Sequence, residues 1–212
     1  LGENVATEEQ AGAATDAYVA AAESLHADPA LDGAISVKLT QLGLDISYDL
    51  CLENFHRVLN TAGSTLVMID MESHDYVDRT LGVYRELHGA HERFGVCLQA
   101  YLRRTAKDVF DLPSGAIVRL VKGAYLESPE VAFPARAEVA GSFRSLFATF
   151  VARGCTVHVA THDARLIAGV RGCGVPAGRV EYQMLYGMGA DLQRRLVADG
   201  LPDRIYVPYG TE

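Results

Sequence analysis

The sequence predicts an α/β chain of parallel strands joined by crossover helices and, within that class, a (β/α)8 TIM-like barrel. Three observations lead there. Short β-branched apolar runs alternate with longer amphipathic stretches along the whole chain, the pattern of strands linked through helices. Seven such runs are visible, and an eighth is available if Leu1-Gly2-Glu3 is the tail of a preceding strand. Eight βα units suit a closed barrel, whereas the Gly-x-Gly-x-x-Gly turn that would accompany the first strand of an open doubly wound sheet is missing.

Taken in order, the first helix is predicted over 7–26, with Thr7 and Gln10 spaced as a capping box. A strand over 34–39 follows, then a helix over 46–61 with Asp45 as its N-cap. The second strand, 65–70, leads into a helix over 75–94, and the third, 96–101, into a short helix over 105–110 capped by Thr105. The fourth strand, 116–121, precedes residues 126–134, which hold two prolines and little periodicity and read as a longer loop. A helix over 135–153 comes next, then a strand over 156–161, a helix over 164–170 capped by Asp163, and a strand over 180–185. A helix over 191–199 and a strand over 204–207 complete the series. The sequence ends at Glu212, before an eighth helix, and begins at Leu1 without a Met, so a barrel truncated at both ends is expected.

At 212 residues and 49% hydrophobic, the chain has material for one sizeable core, and a single domain over 1–212 is expected. The net charge of -8, with scattered Lys and Arg, argues against a surface that tracks the phosphates of nucleic acid. No apolar run approaches the roughly 20 residues that cross a bilayer, and nothing at the start reads as a signal peptide. A soluble, intracellular protein is expected. Cys51, Cys97, Cys155 and Cys173 are widely spaced and read as buried thiols without chemistry.

Barrel active sites form at the C-terminal ends of the strands, and unusual polar residues collect there. In order these are Glu3; Lys38 and Gln41; Asp70 and Glu72; Gln99 and Tyr101; Arg119, Lys122 and Tyr125; Thr161 and His162; Gln183 and Tyr186; Tyr206 and Tyr209. Lys38, Gln99, Arg119 and Gln183 sit inside apolar strands, where an unpaired polar group is costly, so each needs a protein partner or a ligand. An internal salt-bridge network of Lys38, Asp70 and Arg119 closing the barrel end is the competing reading. His158 and His162 lack an evident third ligand, so no metal is assigned.

The stretches Ser36-Val37-Lys38-Leu39, Gln99-Ala100-Tyr101, Val118 through Tyr125, Ala160-Thr161-His162, Gly187-Met188-Gly189 and Tyr206-Val207-Pro208-Tyr209-Gly210 resemble, in order, the strand-end motifs of proline dehydrogenases. The resemblance covers nearly the whole chain. It implies noncovalent FAD and oxidation of L-proline to 1-pyrroline-5-carboxylate by hydride transfer to flavin N5, with electrons passed to a quinone. It further implies a cytoplasmic protein and leaves open peripheral contact with the inner membrane.

By the same resemblance, Gln99 and Arg119 would bond the isoalloxazine, Arg119 near N5. Lys122, Gly123 and Ala124 would follow the ribityl and phosphate path, and Thr161, His162 and Gln183 would complete the cofactor site. Lys38 would face the proline carboxylate, with Asp70 as its partner; Asp70 and Tyr206 would hold the ammonium; Tyr125 and Leu185 would wall the ring. Glu3 resembles an acid that helps close the site. Lys38, Asp70, Arg119 and Tyr206 form the expected catalytic set.

This sequence departs from the family pattern in two places. The paired arginines that follow the Tyr-x-Pro-x-Gly stretch are absent, and Arg194-Arg195, on the preceding helix, reads as solvent-facing. Leu126 stands where some members have an aromatic, which resembles the single-function bacterial enzymes. Hydroxyproline oxidation and a nonredox barrel, an aldolase or isomerase binding phosphate at Gly187-Met188-Gly189, remain as alternatives.

Overall fold

The computed structural model describes residues 4–28, 30–176 and 178–209. The eighth strand expected at Leu1-Gly2-Glu3, and with it Glu3, lies outside them. The chain forms two compact units, Leu1–Val96 with Tyr209–Glu212, and Cys97–Pro208. Seven strands among the described residues follow one another in the sheet in sequence order.

The first unit holds α1 (Glu8–Ala27), β1 (Ala34–Val37), α2 (Tyr48–Ala62), β2 (Leu66–Ile69), α3 (Val77–Leu87) and the first half of β3 (Phe94–Gln99). β1 pairs β2 in parallel, with Val37 opposite Ile69. β2 pairs β3 in parallel, with Ile69 opposite Val96. β2 is buried at every position, as expected of a parallel strand covered on both faces. Behind it Phe55 of α2 meets Phe94 edge to face at 5.6 Å, and Tyr84 of α3 lies 5.3 Å from the same ring.

The second unit holds the end of β3, then α4 (Thr105–Asp111), β4 (Ile117–Val121), α5 (Arg136–Ala152), β5 (Thr156–Ala160), α6 (Ala164–Arg171), β6 (Val180–Leu185), α7 (Ala190–Ala198) and β7 (Asp203–Tyr206). The pairs from β4 to β7 are parallel. Phe143, Phe147 and Phe150, spaced by four and three, put one face of α5 into the core.

Thr7 caps α1 through its side-chain oxygen as expected, but Gln10 reaches back to the Ala6 amide, one residue earlier than the box requires. Asp163 caps α6, accepting from Arg165 and Leu166. The other two expected caps are corrected. Ser47, two residues past Asp45, caps α2, because Asp45 accepts instead from the Tyr76 hydroxyl and Arg79. Thr105 is already inside α4, its hydroxyl turned back to the Gln99 carbonyl at 2.7 Å.

The helix expected over 75–94 is also shorter: α3 stops at Leu87, Gly89 takes a positive φ of 98°, and Phe94 opens β3. Cys51, Cys97 and Cys155 are buried as expected, and Cys173 is exposed. Residues 126–134 form a loop that returns to the β3 end, Phe133 donating to the Tyr101 carbonyl at 2.8 Å.

Candidate active site

In the first unit Lys38 and Asp70 directly follow β1 and β2, both half-buried. The Asp70 amide donates to the Val37 carbonyl at 2.9 Å, so the sheet itself sets the two positions side by side. A 3-10 turn over Leu39–Leu42 follows Lys38, and its polar residues are committed to structure. Glu72, buried, accepts from the Thr40 hydroxyl at 2.6 Å and its amide at 3.2 Å, tying the segment after β2 to the turn after β1. Gln41, also buried, accepts the Tyr18 hydroxyl. The same hydroxyl accepts the Lys38 amide at 3.4 Å, and burial above all pushes that phenol up to about 12, so it stays protonated.

In the second unit Gln99, Arg119, Thr161 and Gln183 are all buried. Strand alternation puts Arg119 on β4, His158 on β5, Glu181 and Gln183 on β6, and Arg204 and Tyr206 on β7 on one face. The Arg119 Nε–H donates to Gln183 Oε1 at 2.6 Å, and its guanidinium carbon lies 5.6 Å from the Tyr206 ring centroid. Gln183 Nε2 donates to Glu181 Oε1 at 2.7 Å and lies 3.0 Å from His158 Nδ1. Arg204 grips Glu181 with both arms at 2.8 Å.

Lys122 Nζ sits 2.6 Å from Asp163 Oδ2. That bond first, and the amides Asp163 caps, hold its carboxyl below the ordinary aspartate range. Thr161 Oγ1 accepts the Asp163 amide at 3.2 Å. His162 Nε2 accepts the Leu185 amide at 3.0 Å, which places the proton of its neutral ring on Nδ1. Gly123 has a φ of 115°, and a Cβ there would lie 2.1 Å from the Tyr101 ring, so this glycine makes room for a tyrosine as well as for a turn. Ala124 is exposed and Tyr125 half-buried beyond it, with Leu126 fully exposed. Leu185 and Tyr206 end β6 and β7, Leu185 exposed and Tyr206 half-buried.

Arg194 and Arg195 face solvent as expected, bonded to Asp191. Sequence reasoning missed Glu181 and Arg204, and considered His158 only as a metal ligand. The available signal was the spacing of two between Glu181 and Gln183, which puts both on one face of a strand. Among the described residues no group of three His, Cys, Asp or Glu is placed to hold a metal.

A family model described as proline dehydrogenase matches residues 1–212. The chain belongs to the proline dehydrogenase family. Proline dehydrogenase 2 of Bacillus subtilis (strain 168) is 37% identical over the full chain, which covers 72% of that relative. The proline dehydrogenase of Deinococcus radiodurans is 38% identical over 84% of the chain and 61% of its own length. Among solved structures, proline utilization A of Bdellovibrio bacteriovorus inactivated by N-propargylglycine superposes with a TM-score of 0.87 at 25% identity. That match covers all of this chain and 28% of the longer protein, and it confirms the α/β barrel class. The likeness to single-function bacterial proline dehydrogenases, expected from Leu126, holds.

Proposed function

We propose that this member of the family works with noncovalently bound FAD, held by Gln99, Arg119, Thr161 and Gln183 together with Lys122, Gly123, Ala124 and His162. As a proline dehydrogenase the chain oxidises proline to 1-pyrroline-5-carboxylate, the first step of proline catabolism. The observation that carries the cofactor reading is Arg119, a guanidinium 5% exposed on a strand face, anchored by Gln183 and laid over Tyr206. A buried donor set of this kind fits a planar, hydrogen-bonding group that gains negative charge on reduction. FAD, when bound, would supply the acceptor for the hydride leaving the proline ring and the route of the electrons to a quinone.

The chain's own residues bind and orient. Lys38 takes the substrate carboxylate with Asp70 beside it, and Asp70 and Tyr206 hold the amine. Tyr125 and Leu185 wall the ring, and Glu3 belongs to the same set. Residue positioning of this kind removes the entropic cost of bringing donor and acceptor together. The Arg119 cation is held in place before charge develops, so no reorganisation is needed when it does.

A single barrel domain over 1–212, and a cytoplasmic protein that meets its quinone at the inner membrane, complete the proposal. No described helix is long and apolar enough to cross a membrane.

The deciding experiment is reconstitution with FAD followed by anaerobic addition of proline. Flavin absorption bands that bleach with proline, with one pyrroline-5-carboxylate formed per flavin, support the proposal. A protein that stays colourless after incubation with FAD overturns it.

A further inference from the structure

We propose that Glu181 is a positioning residue for proline oxidation: its carboxylate fixes which way the Gln183 amide faces, and through that amide the set of the Arg119 guanidinium. The inference rests on the reading of Arg119 as a flavin-facing residue.

The two ends of a glutamine amide have nearly the same shape and opposite polarity, so its neighbours choose the orientation. At Gln183 the NH2 end donates to Glu181 Oε1 at 2.7 Å and lies 3.0 Å from His158 Nδ1. Its oxygen is thereby left to face Arg119 Nε at 2.6 Å. Turned over, the amide would set NH2 against a guanidinium N–H and oxygen against a carboxylate, replacing two attractive contacts with two repulsive ones.

Glu181 can hold this role because it stays ionised while its side chain is only 17% exposed. Burial works against the charge, but the two-armed bond from Arg204, with His158 and the Gln183 amide adding to it, leaves the carboxyl below its ordinary range. The strand register builds the assembly: Arg119 opposite His158, His158 opposite Glu181, and Gln183 opposite Arg204.

Glu181→Gln leaves one oxygen where two were shared between Arg204 and Gln183, and offers an NH2 to an NH2. The expected result is a drop of about tenfold in the rate of flavin reduction by proline, less than the 100- to 1,000-fold typical of removing a whole preorganised donor. Two further readouts separate positioning from general support of the fold. Arginine side-chain NMR of the holoenzyme, with the Arg119 Nε–H signal assigned by its loss in Arg119→Met, is expected to show that signal shifted in Glu181→Gln. A double-mutant cycle is expected to show Glu181→Gln without further effect in the Arg119→Met background.

An unmoved Nε–H signal, or an equal slowing in both backgrounds, overturns the inference while leaving the flavin reading intact. An Arg119→Met variant as fast as the parent overturns both. If Glu181→Gln leaves Arg204 uncompensated and the protein does not fold, the neutral pair Glu181→Gln/Arg204→Gln carries the same measurements.

Discussion

Arg119 donates its Nε–H to Gln183 at 2.6 Å across 64 residues of sequence, and both side chains are buried. Neither would be stable in an apolar strand alone; each is the other's partner, and the outer edge of the guanidinium is held in one orientation.

Arg119→Met is therefore expected to lower the flavin reduction rate at saturating proline by about 100- to 1,000-fold. Stopped-flow absorbance of the holoenzyme measures this directly. An unchanged rate removes Arg119 from the site.

Lys38→Met separates substrate binding from structure. Lys38 follows β1 half-buried, and its backbone is fixed by Tyr18 whatever its side chain. The variant is expected to fold and keep FAD, while the affinity for a ring-ether carboxylate analogue of proline falls by about tenfold or more, the scale of one charge-assisted bond. Equal losses of flavin and inhibitor would make Lys38 a structural ion-pair member.

Gly123→Ala meets two obstacles at once. The backbone φ of 115° disfavours any side chain, and the new Cβ would fall 2.1 Å from the Tyr101 ring. The expected loss is about 2–4 kcal/mol, combining backbone strain with overpacking. Thermal unfolding reads it. Tyr101→Ala combined with Gly123→Ala is expected to be less than additive, since the smaller residue removes the clash and leaves only the strain.

Asp163 links acid stability to the segment after β4 through its pair with Lys122. Its folded carboxyl titrates below the ordinary value, so its contribution is fully present above about pH 3.9 and is lost as pH falls through the lower folded value. Asp163→Asn keeps a competent helix cap and loses the pair with Lys122. Its acid unfolding limb is expected to be shallower than the parent's in that window. Parallel limbs would mean that the Lys122 contact adds nothing.

Arg194→Ala/Arg195→Ala is expected to leave the Michaelis constant for proline within about twofold of the parent, as for ordinary surface changes. Both side chains are exposed and bonded to Asp191 on their own helix. A large rise in that constant would place one of them on the substrate carboxylate.

All seven predicted strands were legible because β-branched, apolar residues announce themselves over four to six contiguous positions, as in Leu66–Ile69. Helix caps were half legible. Thr7 and Asp163 act locally and behave as their type suggests, whereas Asp45 and Thr105 were claimed by Tyr76, Arg79 and the Gln99 carbonyl, partners that only folding brings near. Gly89 marks the end of α3, but the polar residues around it continue a helical pattern, which is why the sequence alone predicts a longer helix.

The strand-end residues Lys38, Gln99, Arg119 and Gln183 stood out by themselves, since a charge or amide within an apolar run is anomalous wherever it occurs. Glu181 and Arg204 did not: each reads as an ordinary polar residue at a strand's edge. What half-buries them and makes them a pair is the register of β6 on β7, together with that of β5 on β6, which sets His158 beside them. Sequence by itself determined the elements and the family, because those depend on neighbours along the chain. The tertiary structure alone decided which charge compensates which, because a buried ion's stability depends on the partner within about 3 Å in space, whatever the distance between them in sequence.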